Sequence, residues 1–207
     1  QVEIHARPGK KFGVRRNNVS APQEAVHAIA EADVVVLGPG SLYTSVITNL
    51  LVPEIQEALK NRTQGMTIYV CNITTQPGQT DGFSASKHLD ALRKHLPDNE
   101  TKSVLDHMLV QDPGIFNTKK GKVWNPLLKR YKKQGKDLVV CDSKDLEGTI
   151  SWTGADLVEE FSPNVLDRQQ GDFISHDPHK VADAICRLFC GMSVPNYWGM
   201  ENGESKD

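Results

Sequence analysis

The feature that most constrains the fold of this chain is an apolar run that ends in glycines. Residues 33–37 contain four consecutive apolar positions without polar alternation, which predicts a strand buried on both faces of a parallel sheet. Gly38, Pro39 and Gly40 follow, and the apolar stretch 42–51 then predicts a helix. A strand, a tight glycine turn and a helix in this order are typical of the beginning of a βαβ unit.

Predicted strands and helices alternate along the rest of the chain. Further strands are predicted at 2–6, 67–71, 104–110 and 137–141. Helices are predicted at 22–31, 53–60, 84–96 and 124–134, and a last helix begins at Asp177-Pro178. Ser20, Ser84 and Asp177 are the expected caps of three of these helices. The segments 111–123 and 142–176 give only weak signals. This alternation predicts an α/β fold with a mostly parallel sheet.

Length and composition describe an ordinary globular protein. The 207 residues fit one α/β domain, expected at 1–190, followed by a polar tail at 191–207. Hydrophobic residues make up 38% and charged residues 24%, and a formal net charge of −2 argues against a nucleic-acid partner. No apolar run approaches the roughly 18 residues of a membrane span. Because the chain starts at Gln1 within a predicted strand, we expect a truncated or processed chain.

The cysteines are interpreted as structural thiols. Cys71, Cys141, Cys186 and Cys190 do not have the spacing of a zinc site, and no histidine–cysteine cluster completes one. Buried, reduced cysteines predict a cytoplasmic protein without a metal site.

The glycine turn has the composition of an anion-binding loop. Glycine lets the backbone approach a ligand closely, and unpaired amides at a helix start attract negative charge. Ser41, Thr44 and Ser45 add hydroxyl donors, while Tyr43 either stacks on a base or packs against the sheet. The P-loop pattern fails because no Gly-Lys-Ser/Thr follows the second glycine, and the dinucleotide pattern fails at Tyr43. A tight turn with a serine cap and no ligand is the alternative interpretation.

A second polar loop, 72–83, follows the predicted strand 67–71. Parallel strands end at the same edge of a sheet, so this loop is expected beside the glycine turn. Uncharged donors and acceptors that can contact a sugar or base are Asn72, Thr74, Thr75, Gln76 and Thr80. The alternative is a solvated loop that binds nothing.

Several other residues have both a functional and a structural interpretation. His88 either reaches a ligand phosphate or is a solvated helix histidine, and the second is favoured. His176 can face the edge of the site, whereas Asp177 is interpreted as a helix cap. The cations Lys10, Lys11, Arg15 and Arg16 are expected on a solvated surface, and Trp124, Trp152 and Trp198 in ordinary packing. No nucleophile–base pair is evident, so no catalytic residue is assigned.

The two loops resemble a known family. Leu37-Gly38-Pro39-Gly40-Ser41-Leu42-Tyr43-Thr44-Ser45, within 33–52, is similar to the family that includes the bacterial gluconeogenesis factor and the 2-phospho-L-lactate transferase of coenzyme F420 synthesis. The gluconeogenesis-factor branch is matched by 69–73, by 75–83 and by His176-Asp177-Pro178. The similarity covers roughly residues 15–190. This chain resembles the carboxyl-terminal portion of the family domain.

The resemblance implies a Rossmann-like three-layer sandwich. In the gluconeogenesis-factor branch it implies binding of UDP-sugars such as UDP-N-acetylglucosamine and a role in carbon metabolism, cell-wall synthesis and cell shape. In the transferase branch it implies phospholactate transfer to a deazaflavin, assisted by Mg²⁺. We therefore expect a nucleotide-sugar-binding regulator without a further cofactor, acting as a homo-oligomer. A phospho-transferase is the alternative, and a non-binding interaction module is a third possibility.

Overall fold

The structure is a computed structural model, and it describes residues 20–96, 104–117, 125–159 and 174–195. Several sequence predictions lie outside these residues: the strand 2–6, the basic cluster 10–16, Trp124, Trp198 and most of the polar tail.

Seven α-helices and four strands are described. The strands are β1 (Val34–Leu37), β2 (Met66–Val70), β3 (His107–Gln111) and β4 (Ser151–Ala155). The helices are α1 (Gln23–Glu31), α2 (Ile47–Leu50), α3 (Pro53–Asn61), α4 (Ala85–Arg93), α5 (Asn125–Lys133), α6 (Ser143–Leu146) and α7 (Pro178–Phe189). One π-helical turn, Leu42–Val46, leads directly into α2, and a 3-10 turn, Pro113–Asn117, follows β3.

The four strands form one parallel sheet in the order β1-β2-β3-β4. Leu37 is opposite Tyr69, Val70 is opposite Leu109, and Gln111 is opposite Ala155, so all four strands end at one edge. This confirms the predicted α/β fold with a parallel sheet. It also places the loops that follow β1 and β2 side by side.

Apolar residues pack on both faces of the sheet, and alternate residues of each strand point to opposite faces. Tyr69 and Met108 pack on one face with the helical residues around Leu42, Leu50 and Leu89. On the other face, β2, β3 and β4 residues pack against α7. A third apolar cluster around Ile73, Leu127, Tyr131 and Ile174 lies beyond the sheet edge and anchors α5 there.

One predicted strand was wrong, and one observed strand was not predicted. The segment 137–141 forms only isolated bridges, from Leu138 to Thr74 and from Val140 to Ser84. The fourth strand is instead Ser151–Ala155, in a region where the sequence gives weak signals. Pairing with β3 over five residues fixes that strand, and this long-range contact leaves no local pattern.

Three further predictions need correction. β1 is the outermost of the described strands, so Val36 is 39% exposed and the strand is not buried on both faces. Ser20 does not cap α1, whose N-cap is Pro22 without a side-chain hydrogen bond. Cys71 and Cys141 are buried, but Cys186 and Cys190 are exposed because they lie on the solvent side of α7. All four cysteines are free.

In the part of the chain that the structure describes, no helix combines the length and the apolar character needed to cross a membrane.

Candidate functional site

The glycine turn carries the chain across the carboxyl end of β2. Gly38 has a φ of +84°, which residues other than glycine rarely adopt. A Cβ at this position would lie 2.9 Å from the carbonyl oxygen of Val70. The next peptide bond, Gly38–Pro39, is cis. Glycine is therefore required at position 38 by the close approach of two backbones.

The helical segment after the turn begins with unpaired amides. The amides of Ser45 and Val46 both donate to the carbonyl oxygen of Ser41, at 2.9 and 3.0 Å. The three amides before them, at 42–44, have no acceptor among the described residues, and the side chain of Ser41 does not cap them. Thr44 and Ser45 are exposed beside these amides. Because Leu42 is fully buried, an anion that approaches from solvent can meet only the amides at 43 and 44.

Two of the predicted hydroxyl donors form a chain that ends on the second loop. Thr44 Oγ1 donates to Ser41 Oγ at 2.7 Å, and Ser41 Oγ donates to Gln79 Oε1 at 3.2 Å. The side-chain oxygen of Gln79 thus accepts the hydrogen bond that a ligand oxygen would accept from Ser41. A ligand at this position has to replace Gln79 as the partner of the serine.

The second loop, 72–83, is held mainly by its own hydrogen bonds. Thr80 is fully buried and its hydroxyl accepts from the amide of Gln76 at 2.8 Å, while the Thr75 hydroxyl accepts from the amide of Asp137 at 2.9 Å. Asn72 is buried, and Oε1 of Gln76 is buried without a partner among the described residues. The structure therefore brings Gln79 to the glycine turn and places Thr75 and Thr80 inside the loop.

Tyr43 packs against the core instead of standing free. Its ring contacts Phe83 edge-on at 6.5 Å between centroids, and Phe83 contacts His88 in the same way at 5.5 Å. This favours the packing alternative for the tyrosine. His88 is fully buried, so its interpretation as a solvated histidine was wrong. Phe83 covers it from the loop, and its Nδ1 lies 2.9 Å from the carbonyl oxygen of Ser84.

Burial of His88 makes the stability of the fold depend on pH. Desolvation lowers the pKa of His88, although its contact with the carbonyl of Ser84 partly opposes this. The unfolded chain, with a histidine pKa of about 6.5, then takes up the proton more readily than the folded chain. The contribution of the buried neutral imidazole to stability is therefore fully present above the pKa of the unfolded histidine. It falls as the pH drops below that value toward the lower pKa of the folded state. We expect the unfolding free energy to decrease between pH 7.5 and pH 5.5, as measured by urea titration.

His88→Gln should reduce that pH dependence, and His179→Gln, at an exposed position of α7, should leave it unchanged. Some dependence should remain in His88→Gln because burial also lowers the pKa of His107 and His176. An unchanged pH profile in His88→Gln would contradict the assignment of the effect to this residue.

His176 and Asp177 connect α7 to the sheet edge. Nε2 of His176 lies 3.1 Å from the carbonyl oxygen of Cys71, the first residue after β2. Asp177 Oδ1 accepts from the amides of His179 and Lys180 at 2.8 and 3.2 Å, which confirms its role as a helix cap. The histidine therefore stands at the end of β2, and the aspartate caps the helix.

Two acidic residues near the site were not predicted. Asp112 directly follows β3 and is fully buried, and its Oδ1 accepts from the amide of Gly114 at 2.7 Å. Asp142 accepts from the amide of Ser86 at 2.9 Å and from its hydroxyl. Burial raises the pKa of Asp142, but hydrogen bonds from Ser86 and Ser84 outweigh this and lower it. The position of Asp112 after a predicted strand was a usable signal, whereas the contact of Asp142 is purely tertiary.

A family profile and curated relatives match this chain over most of its length. The profile described as 2-phospho-L-lactate transferase CofD matches residues 1–158. The gluconeogenesis factor of Halalkalibacterium halodurans is 39% identical over 163 residues, which are 79% of this chain and 44% of the relative. A Thermotoga maritima relative whose name also refers to a gluconeogenesis factor is 37% identical over 190 residues, covering 91% of this chain and 54% of the relative.

Solved structures agree with the fold. Two crystal structures of a Bacillus halodurans protein, one of them described as a member of the UPF0052 family, are each 34% identical to this chain, with TM-scores of 0.65 and 0.66. They match 82% and 83% of this chain but only 47% and 49% of the solved chains. The chain thus spans about half the length of the relatives that it matches.

Proposed function

This chain belongs to the 2-phospho-L-lactate transferase CofD family, and from that membership we propose that it binds a nucleotide sugar of the UDP type. Its role is regulation of carbon metabolism and of cell-wall and cell-shape maintenance, as in the gluconeogenesis-factor branch. The relatives named as gluconeogenesis factors support this branch over the transferase branch. The cytoplasm is the proposed location, and a homo-oligomer is the proposed assembly.

One observation carries the proposal: the unpaired amides at 42–44 stand at the carboxyl edge of a parallel sheet. In α/β folds this edge is where ligands bind. We place the diphosphate over Gly38, Pro39, Gly40 and Ser41, with Thr44 and Ser45 as further donors. The nucleoside and sugar lie toward Tyr43 and the second loop, near Asn72, Thr75, Gln76 and Thr80. Of these, Gln76 has a buried side-chain oxygen, Oε1, without a partner among the described residues.

Calorimetric titration of the full-length protein with UDP-N-acetylglucosamine tests the proposal. We expect saturable binding with one ligand per chain, and weaker binding of UDP alone because it lacks the sugar contacts. GDP serves as the control for the base. Absence of heat at millimolar UDP-N-acetylglucosamine would count decisively against a UDP-sugar site.

The transferase alternative rests on the name of the family profile. Such an enzyme is expected to bind a guanylylated donor with the help of Mg²⁺. Within the described ranges, no group of three or more His, Cys, Asp or Glu side chains stands close enough to hold a metal ion. Tighter binding of GDP than of UDP-sugars, strengthened by Mg²⁺, would favour the transferase.

A further inference from the structure

An open cavity of about 580 Å³ lies beside α5, apart from the glycine turn. Its walls come from α5, from the segment 136–140 and from the two ends of the second loop, and no residue from 38 to 45 lines it. Pockets that bind small molecules have volumes of roughly 300–1,000 Å³. The cavity is therefore large enough for a ligand of its own.

Most of the cavity wall is apolar. Phe83, Leu128, Leu138 and Val140 face the cavity. Val140 is 63% exposed, although its carbonyl oxygen is fixed by a 2.8 Å hydrogen bond from the amide of Ala85. A rigid aliphatic side chain in a concave surface favours a ligand that removes it from water. The ligand must therefore have an apolar body.

The rim of the cavity is positively charged. Lys129 and Lys132 stand one turn apart on α5 and are exposed, and Lys136 follows the helix. The Lys136 ammonium also lies 5.1 Å from the centre of the Tyr131 ring, which holds it at the wall. Against the two exposed cations on α5, Lys129 and Lys132, the lining has one carboxylate, Asp137. Because charges beside an apolar wall are less screened than in open solvent, this excess favours an anion.

We propose that this cavity binds a small amphipathic anion, a molecule with an aromatic or acyl body and one carboxylate, sulfonate or phosphate group. The body covers Val140 and Leu138, and the charged group reaches Lys129 and Lys132. This site goes beyond the nucleotide-sugar function. The second loop borders both places, since Thr75 and Phe83 line the cavity while Gln79 contacts the glycine turn.

The probe for this site is 8-anilinonaphthalene-1-sulfonate, an aromatic anion whose fluorescence rises in apolar surroundings. Titration into the folded full-length protein should reveal one site per chain. Lys129→Gln/Lys132→Gln should weaken the affinity at least tenfold, and Val140→Asp should do the same by placing a carboxylate in the wall. The neutral analogue N-phenyl-1-naphthylamine should bind at least tenfold more weakly than the sulfonate.

The matched control is Lys60→Gln/Lys94→Gln, which removes two exposed lysines outside the cavity with the same change in net charge. Its affinity for the sulfonate should equal that of the unmodified protein. Equal weakening by both double variants, or equal binding of the neutral amine, would overturn the proposal.

A competition experiment separates this inference from the proposed nucleotide-sugar function. Saturating UDP-N-acetylglucosamine should leave the sulfonate bound, and Lys129→Gln/Lys132→Gln should keep its affinity for the nucleotide sugar. The proposal of a separate site would be refuted if the nucleotide sugar displaced the sulfonate and Lys129→Gln/Lys132→Gln lost affinity for both ligands in parallel. The cavity would then be part of the nucleotide-sugar site. Sulfonate binding without any nucleotide-sugar binding would instead refute the proposed function alone.

Discussion

Replacing Gly40 with valine is expected to reduce the affinity for UDP-N-acetylglucosamine at least a hundredfold, or about 2.7 kcal/mol. Gly40 lies two residues before the segment with unpaired amides at 42–44. A Cβ at position 40 would lie 3.4 Å from Cβ of Ser45 and 3.8 Å from Cγ2 of Val46, which is ordinary contact. The two γ-methyl groups of valine then extend either into this contact or over the amides, where the phosphate is proposed to bind.

Gly40→Ala is the matched control for this prediction. Its single methyl group fits the observed distances, so its affinity should stay within about threefold of the unmodified protein, a difference of roughly 0.65 kcal/mol. Calorimetry measures both affinities, and thermal unfolding establishes that both variants are folded. A valine variant that folds and still binds the nucleotide sugar normally would refute the assignment of the phosphates to this turn.

Elements with strong local signals were predicted correctly from the sequence. The side-chain oxygens of Ser84 and Asp177 cap α4 and α7 as expected, since capping depends on residues within three positions of the helix start. The glycine turn after β1 was found for a similar reason: a β-branched run followed by glycine marks where a strand ends. Local chemistry thus located both the sheet edge and the loops on it.

Features that depend on tertiary contacts were missed. The run 137–141 has the apolar character of a strand, but its residues bridge to Thr74 and Ser84 and do not join the sheet. β4 contains Trp152 and Thr153, which favour strands, beside Ser151 and Gly154, and its place in the sheet is fixed by pairing with β3. Strand preference alone could not distinguish these two segments.

In the candidate site, too, features that depend on tertiary contacts could not be predicted from the sequence. The sequence indicated which polar side chains lie near the sheet edge, but not which of them the loop uses for itself. The hydroxyls of Thr75 and Thr80 accept backbone hydrogen bonds because the loop folds back on itself and on Asp137. His88 is buried because Phe83 closes over α4. Each of these outcomes is set by the path of the backbone, which residue type does not specify.

Gly38→Ala is expected to lower the free energy of unfolding by about 3 kcal/mol, because it combines two costs. A residue with a side chain at a φ of +84° loses about 1–2 kcal/mol of stability. Steric overlap in a packed region lowers stability by about 1–3 kcal/mol. The overlap is with the carbonyl oxygen of Val70, only 2.9 Å from the new Cβ. That oxygen belongs to the last residue of β2, so it cannot move without disturbing a central strand.

Gly135→Ala separates the two costs. Gly135 has a φ of +73°, yet a Cβ there meets nothing within 4 Å, so its replacement should cost only the conformational part, about 1 kcal/mol. Urea unfolding of both variants gives the difference, which measures how closely the glycine turn approaches β2. If the two alanine variants lose equal stability, the turn does not press on the Val70 carbonyl. The proposed phosphate site would then lack the rigid support that the close backbone contact provides.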